Sequence, residues 1–209
     1  MDDAEFVERV RDAKATELDR LGSEKALVAE TNAALDRGTV LERAAAAEMR
    51  AAETFDQWAA SEENESARAA FADAAEREQS HYEQVCELGD VEATDPEADA
   101  LHGYLRELEG TAERVGAGLV ARPLVASRTL LQVINFFINE ADETTANTFR
   151  GLRSDTDDQV EAGATLLTEV CTDEEWDAAE RAATEAIDRA YTEYADTLEA
   201  MGVDPKPVC

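Results

Sequence analysis

The segment Glu78-Gln-Ser-His81 places a carboxylate and an imidazole where a predicted helix should present apolar side chains. The neighbouring residues Phe71, Ala75 and Val85 follow helical spacing and form the rest of that apolar face. Residues three and four apart share one side of an α-helix, so Glu78 and His81 are expected to point into the interior together. Because an unpaired charge is costly there, the pair predicts a metal ion bound between the two groups.

Two further glutamates interrupt the apolar stripes of other predicted helices. Glu48 replaces a core residue in the helix 39–61, and Glu140 replaces one in the helix 123–152. Glu48 precedes the first predicted hairpin turn by about thirteen residues and Glu78 follows it by about thirteen, so the helical rise brings both to a similar depth. Three carboxylates and one imidazole are therefore expected to meet in the interior.

The chain as a whole favours an all-α fold. Ala, Glu, Leu and Arg dominate, prolines are few, and the alternating pattern of strands is nearly absent. The predicted helices run over 3–21, 23–37, 39–61, 66–88, 96–115, 123–152 and 173–201. Residues 1–38 are expected to form an N-terminal helical hairpin, 39–202 a bundle and 203–209 a tail. Two hairpins joined by one long crossover predict a ferritin-like four-helix bundle.

The segment 39–201 resembles the rubrerythrin branch of the ferritin-like superfamily. The matching positions are Phe71-x-x-x-Ala75-Glu76-x-Glu78-x-x-His81-Tyr82, preceded by Glu48 and followed by Glu140-x-x-Glu143. The resemblance implies that Glu48 and Glu140 bind or bridge iron and that Glu78 bridges. It also implies that His81 ligates through one ring nitrogen while an acceptor orients the other. One or two iron ions are implied, with manganese as a substitute and zinc less favoured.

The fourth predicted bundle helix departs from the family pattern, which places a second Glu-x-x-His there. That helix contains no histidine. Its periodicity favours Glu180 as the inward carboxylate, whereas a depth argument favours Glu185 and Asp188. His102 follows Asp99 by three residues without a matching partner helix, so this spacing also arises by chance in a chain this acidic. The ligand that the last helix would offer to a second metal ion is therefore left open between Glu180 and the pair Glu185 and Asp188.

Composition limits the partners of the protein. The 49 acidic and 19 basic residues give a formal net charge of −30, which would repel nucleic acids and anionic membranes. This composition resembles that of proteins from salt-in halophilic archaea, where salt shortens the Debye length to about 3 Å. The apolar stretch 119–138 contains too many polar residues for a membrane span and predicts a buried helix. Cys86, Cys171 and Cys209 form no CxxC pair, which favours reduced thiols in the cytoplasm.

The cysteines favour a cytoplasmic protein, and the resemblance to rubrerythrin implies a non-haem iron protein that reacts with peroxide or dioxygen. It would be a peroxidase or ferroxidase-like oxidoreductase in oxidative-stress defence or iron handling. Because the chain has no rubredoxin-like CxxC module, the electron donor would be a separate protein. Bundles of this kind commonly pair as homodimers, although no residue specifies an interface. The alternative is a metal-free, degenerate ferritin-like bundle that acts as a protein-interaction or regulatory module, which the missing histidine favours.

Overall fold

The computed structural model describes residues 1–89, 91 and 98–206, and this part of the chain is all-helical, as predicted. Three short helices come first: α1 (Asp3–Ala13), α2 (Ala15–Leu21) and α3 (Lys25–Glu30). The others are α4 (Arg37–Ser61), α5 (Glu65–Glu87), α6 (Ala100–Glu107), α7 (Thr111–Arg114), α8 (Arg122–Asn139), α9 (Glu143–Val170) and α10 (Glu175–Ala200). A π-helical segment, Val115–Ala121, lies between α7 and α8.

Two helical hairpins form the centre of the molecule. Helix α4 packs along α5 and α8 packs along α9, while α5 also contacts α9. Helix α10 packs against the π-helical segment, α6 and α7, and the three N-terminal helices lie against α8, α9 and α10. The side chains of Phe6, Val10 and Leu18 belong to the same buried core as those of the longer helices. The N-terminal helices therefore cover one flank of the main core.

Aspartate and asparagine side chains determine where the two helices of the first hairpin begin. Asp36 accepts a hydrogen bond from the Thr39 backbone N–H at 3.0 Å, and Asn64 accepts one from Ala67 N–H at 3.0 Å. A side-chain acceptor at this position satisfies a free N–H group of the first turn, so helix formation starts directly after it. Both helices consequently begin within two residues of the predicted positions. Gly38, which directly follows the helix predicted at 23–37, lies in the first turn of α4.

The prediction of one continuous helix at 123–152 is wrong, because two helices, α8 and α9, share these residues. Helix α8 ends at Asn139, and Ala141 then adopts a left-handed conformation with φ of 58°. Asp142 caps α9, which continues well beyond the predicted helix end. The helix predicted at 173–201 corresponds to α10, but α9 is the partner of α8 in the second hairpin. The fourth helix around the interior is therefore α9.

The two N-terminal helices are also shorter than predicted. Lys14 separates α1 from α2 within the predicted helix 3–21. Helix α3 ends at Glu30 because Asn32 and Ala33 adopt positive φ angles of 48° and 64°, which a right-handed helix cannot contain. The predicted N-terminal helical hairpin thus consists of three short helices.

Two predicted segments extend beyond the described residues. The helix predicted at 96–115 begins there, and its described part contains α6 and α7. The tail 203–209 continues past the last described residue, and Cys209 lies in that part. Cys86 and Cys171 carry free thiols and are partly buried.

The π-helical segment packs in close contact with its neighbours. A Cβ atom on Gly116 would lie 2.7 Å from the Ala179 carbonyl oxygen, and one on Gly118 would lie 2.4 Å from the Trp58 ring. Only glycine permits such approaches. π-Helical turns are rare and recur at functional sites, and this one ends directly before Arg122.

The region Thr111–Asn139 is long and apolar enough to cross a membrane by length and composition, and its most apolar 18-residue window has a mean hydropathy of 1.2. However, 72% of its most apolar window is buried inside the protein. A helix that is apolar on all sides is expected at the centre of a large core. The prediction of a buried helix at 119–138 is confirmed.

Candidate metal centre

Three ionisable side chains from the first hairpin meet in the interior. Glu48 extends from the middle of α4, and Glu78 and His81 extend from α5. The exposed fractions are 7% for Glu48, 1% for Glu78 and 1% for His81. One ligand atom from each lies within 4.8 Å of the others, and no other described residues form such a group. The predicted meeting of Glu48, Glu78 and His81 is therefore confirmed.

The spacing of these atoms suits a metal ion. His81 Nδ1 lies 3.8 Å from Glu48 Oε2 and 3.7 Å from Glu78 Oε2. Oxygen and nitrogen atoms bound to one metal ion lie a few ångströms apart, so this spacing leaves room for a shared cation. Within the described part of the chain, Glu78 Oε2 and His81 Nδ1 are buried without a hydrogen-bond partner. Since buried polar atoms are nearly always paired, these two atoms fit a bound cation.

Asp155 on α9 holds the other side of the His81 ring. His81 Nε2 lies 3.3 Å from Asp155 Oδ2, and the Asp155 side chain is half exposed. When His81 is neutral, a hydrogen on Nε2 that faces this carboxylate leaves the lone pair on Nδ1, toward Glu48 and Glu78. Metal-binding histidines commonly donate their second ring N–H to a carboxylate in this way.

Arg122, the first residue of α8, pairs with the opposite oxygen of Glu78. Its guanidinium donates to Glu78 Oε1 and, at 3.2 Å, to Gln159 Oε1 on α9. Arg122 is 4% exposed, and its guanidinium lies 5.3 Å from the centre of the Phe55 ring. One carboxylate oxygen of Glu78 is thus bound to a fixed cation, while the other faces His81.

Burial and neighbouring charges set the protonation of the metal-free centre. Burial raises the pKa of Glu48 to about 7, although the contact with His81 opposes it. Burial would also raise the pKa of Glu78, but Arg122 and His81 outweigh it and lower the value to about 2. Burial disfavours the His81 cation, yet Glu48 and Glu78 outweigh it and raise the pKa of His81 to about 10. Without a metal, His81 is positively charged at neutral pH.

Two of the predicted ligands lie elsewhere. Glu140 is exposed at the end of α8. The helix predicted at 123–152 would have turned it toward the interior, but α8 ends at Asn139. Glu180 pairs with Arg9 at 2.8 Å on α10, outside the central hairpins. The alternatives on that helix are also remote from the centre. Glu185 pairs with Arg189 at 2.7 Å, and Asp188 pairs with Lys14.

Sequence reasoning missed Arg122, Asp155 and Gln159. Arg122 did carry a signal, since it is a charged residue inside the most apolar stretch of the chain. Asp155 and Gln159 carried none, because no helix was predicted across their positions. Together these residues add a fixed cation, an orienting carboxylate and an amide to the three central groups.

Comparisons of this chain with known proteins identified no relative. No protein-family model, no curated protein and no solved structure matches the chain.

Proposed function

We propose that this chain binds one divalent transition-metal ion through Glu48, Glu78 and His81 and reacts with peroxide or dioxygen. The observation that carries the proposal is the convergence of three buried ligand atoms, two of which make no hydrogen bond in the described part of the chain. Two carboxylates and one imidazole suit iron or manganese, whereas the zinc sites of proteins favour nitrogen and sulfur ligands. When bound, iron would supply a change between the ferrous and ferric states.

The same residues favour one ion rather than two. A second ion needs a bridging oxygen, but Glu78 Oε1 is already paired with Arg122. It also needs further carboxylates, and neither Glu140 nor Glu180 reaches the centre. Arg122 thus occupies the position next to Glu78 where a second cation would have to bind.

A single ion limits the redox chemistry. Reduction of peroxide to water requires two electrons and two protons, whereas one ferrous ion supplies one electron. We therefore propose that a separate electron donor or a second copy of the chain supplies the other. Asp155 would keep His81 oriented and Arg122 would hold Glu78 in place throughout.

The arrangement of the hairpins supports a ferritin-like architecture related to rubrerythrin. Helices α4–α5 and α8–α9 form two hairpins joined by one long connection, which is the connectivity of ferritin-like bundles. The acidic composition supports an origin in the cytoplasm of a salt-in halophilic archaeon, and it disfavours nucleic-acid or membrane partners.

Metal analysis of the purified full chain tests the proposal. After expression in iron-rich medium and purification at high salt, we expect about one ion per chain. Removal of the ion followed by addition of Mn²⁺ at 100 times its Kd should raise the free energy of unfolding by about 2.7 kcal/mol. Glu78→Gln should abolish both effects. Glu76→Gln, an exposed substitution on the same helix, should preserve them.

A second candidate, a metal-free bundle that engages other proteins, is favoured by one observation. His81 and Arg122 are cations in the metal-free centre, so they balance Glu48 and Glu78 without any ion. In that case the purified chain would hold far less than one ion, and Mn²⁺ would leave its stability unchanged. This result would reject the metal proposal in favour of the interaction module.

A further inference from the structure

A cavity of about 410 Å³ extends from the surface into the interior. It lies between the N-terminal helices and α4, α6, α8 and α10. Exposed Glu30, Arg43 and Glu193 line its outer part, and buried Glu48, His102 and Arg122 line its inner part. A space of this size has room for roughly ten or more water molecules. The cavity therefore reaches from the surface to the edge of the candidate metal centre.

Glu48 is the ligand through which the cavity meets the centre. Of the three candidate ligands, Glu48 lines the cavity, and Glu78 and His81 do not. The Glu48 side chain is 9% exposed, whereas Glu78 Oε2 and His81 Nδ1 are closed to solvent. An ion that arrives through the cavity would thus meet Glu48 first, and the other two ligand atoms lie within 4.8 Å of it.

The opposite side of the centre offers a poorer entry. Asp155 is half exposed there, but its carboxylate lies next to His81 Nε2. The ligand atom of His81 that faces Glu48 and Glu78 is Nδ1, on the other side of the ring. The imidazole ring therefore separates the solvent at Asp155 from the space that the three ligand atoms surround.

Two of the guanidinium groups in the cavity wall are paired with carboxylates. Arg50 lies 2.9 Å from Asp99, and Arg122 pairs with Glu78. Because each pair nearly cancels its own charge, these arginines repel an approaching cation only weakly.

The other charges of the wall are mostly negative. In the described part of the chain, these are the carboxylates of Glu30 and Glu193, the carboxyl group of Glu48 and the guanidinium of Arg43. A cleft with an excess of one sign of charge concentrates ions of the opposite sign. Salt screens charges less in such a recess than on the open surface. The cavity therefore favours cations.

Small side chains leave the passage open beside Glu48. Ala44 and Ala47 line it from α4, Ala126 lines it from α8, and all three are partly exposed. Residues three and four apart share one side of a helix, which places Ala44, Ala47 and Glu48 along the same wall. A larger side chain at these positions would narrow the passage while leaving every ligand in place.

We propose that this cavity is the path by which a divalent metal ion enters and leaves the centre, with Glu30 and Glu193 attracting the ion and Glu48 receiving it. The inference rests on the metal binding proposed above and adds the route to that site. Small divalent ions give up their bound water reluctantly. A cavity with room for water lets the ion keep part of its hydration until it reaches Glu48.

The rates of Mn²⁺ uptake and release by the full chain at constant high salt test this path. Because Kd is the ratio of the release and uptake rate constants, an obstacle on the path slows both by the same factor and leaves Kd unchanged. The electron paramagnetic resonance signal of free Mn²⁺ follows uptake, and its return after addition of excess Zn²⁺ follows release.

Two variants narrow the passage from opposite walls. Ala47→Phe and Ala126→Phe should each slow uptake and release about tenfold. Ala60→Phe, which is exposed on α4 and outside the cavity, should change neither rate. Circular dichroism verifies that each variant is folded.

Two further variants test whether the path attracts a cation. Glu30→Gln should slow uptake and Arg43→Gln should accelerate it, each by about threefold, because the two substitutions change the charge of the outer part in opposite directions. The same sign for both substitutions, or no change in either, would overturn the proposal. This comparison decides the question if neither phenylalanine variant folds.

Failure of this path and failure of the metal site give different results. If the native chain binds no Mn²⁺ at equilibrium, both proposals are wrong. If it binds one ion per chain and both phenylalanine variants keep the native rates, the site stands and the path is wrong. Faster release with a weaker Kd in these variants would also overturn the path, because the cavity wall would then support the ligands without controlling entry.

Discussion

His81 would need different protonation states in the metal-free and metal-bound forms of the protein. Without a metal, Glu48 and Glu78 hold a proton on the ring and raise the pKa of His81 to about 10. A metal ion at Nδ1 requires the neutral ring, with the remaining hydrogen on Nε2 toward Asp155. Glu48, with its pKa raised to about 7, must also be ionised. A divalent ion therefore replaces two protons below the pKa of Glu48 and one proton between the pKa of Glu48 and that of His81.

Metal affinity is consequently expected to rise with pH. At pH 8, which is above the pKa of Glu48 and below that of His81, binding should release about one proton per ion. Between the pKa of Glu48 and that of His81, the affinity should increase about tenfold per pH unit. Calorimetric titration with Mn²⁺ in two buffers of different ionisation enthalpy measures the released protons. Binding without proton release would show that His81 is not a ligand.

Arg122 links the second hairpin to the first. It is the first residue after the π-helical segment, and from there its guanidinium reaches Glu78 on α5 and Gln159 on α9. A buried ion pair is costly to break, because removal of one partner leaves the other charge uncompensated. The start of α8 therefore determines whether Glu78 stays ionised in the interior.

The substitution Arg122→Leu should lower the free energy of unfolding of the metal-free protein by about 3–5 kcal/mol. Urea unfolding at constant high salt measures the loss. Because a bound cation would compensate Glu78 in the absence of the guanidinium, Mn²⁺ should restore part of this stability. Arg181→Leu, exposed on α10, should change the stability by less than about 0.5 kcal/mol. Equal effects of the two substitutions would contradict the buried pair.

The turn between α8 and α9 decides which helix closes the interior. Ala141 adopts a φ of 58° there, a conformation that costs a residue with a Cβ about 1–2 kcal/mol. Ala141→Gly should therefore stabilise the protein by up to about 1 kcal/mol, as measured by urea unfolding. Ala162→Gly, exposed within α9, should destabilise it by about 1 kcal/mol. The same sign for both substitutions would mean that α8 continues through residue 141.

The molecule as a whole carries a net charge of −30 on 209 residues. Repulsion of this size opposes a compact state, and its range grows from about 3 Å at 1 M salt to about 10 Å at 0.1 M. Ion pairs offset part of it, as between Arg9 and Glu180, but exposed pairs contribute little each. Stability is therefore expected to depend on salt at the level of the entire fold.

Lowering KCl from about 3 M to about 0.1 M should lower Tm by about 10 °C or more, because screening is lost. Scanning calorimetry at a series of KCl concentrations measures the change. A variant with four exposed acids replaced by their amides should depend less on salt; these are Asp73→Asn, Glu76→Gln, Asp177→Asn and Asp196→Asn. A constant Tm, or an unchanged dependence in the variant, would contradict an electrostatic origin.

The all-α class and the meeting of Glu48, Glu78 and His81 could be predicted from the sequence, because they depend on local relations. Helical periodicity decides which face a residue occupies, and the short turn between α4 and α5 sets the relative depth of Glu48 and Glu78. The same local periodicity led to the wrong prediction that Glu140 faces the interior, because the apolar pattern of α8 continues across Ala141. A left-handed alanine leaves no sign in composition or spacing.

Only the tertiary structure decided that α9 lies beside α5 and that Arg122, Asp155 and Gln159 complete the centre. It also decided that His102 lines a cavity next to Glu48. These residues lie far apart along the chain, and their proximity follows from how helices bury their faces against one another. That choice depends on the packing of the whole core, which no single stretch of sequence contains.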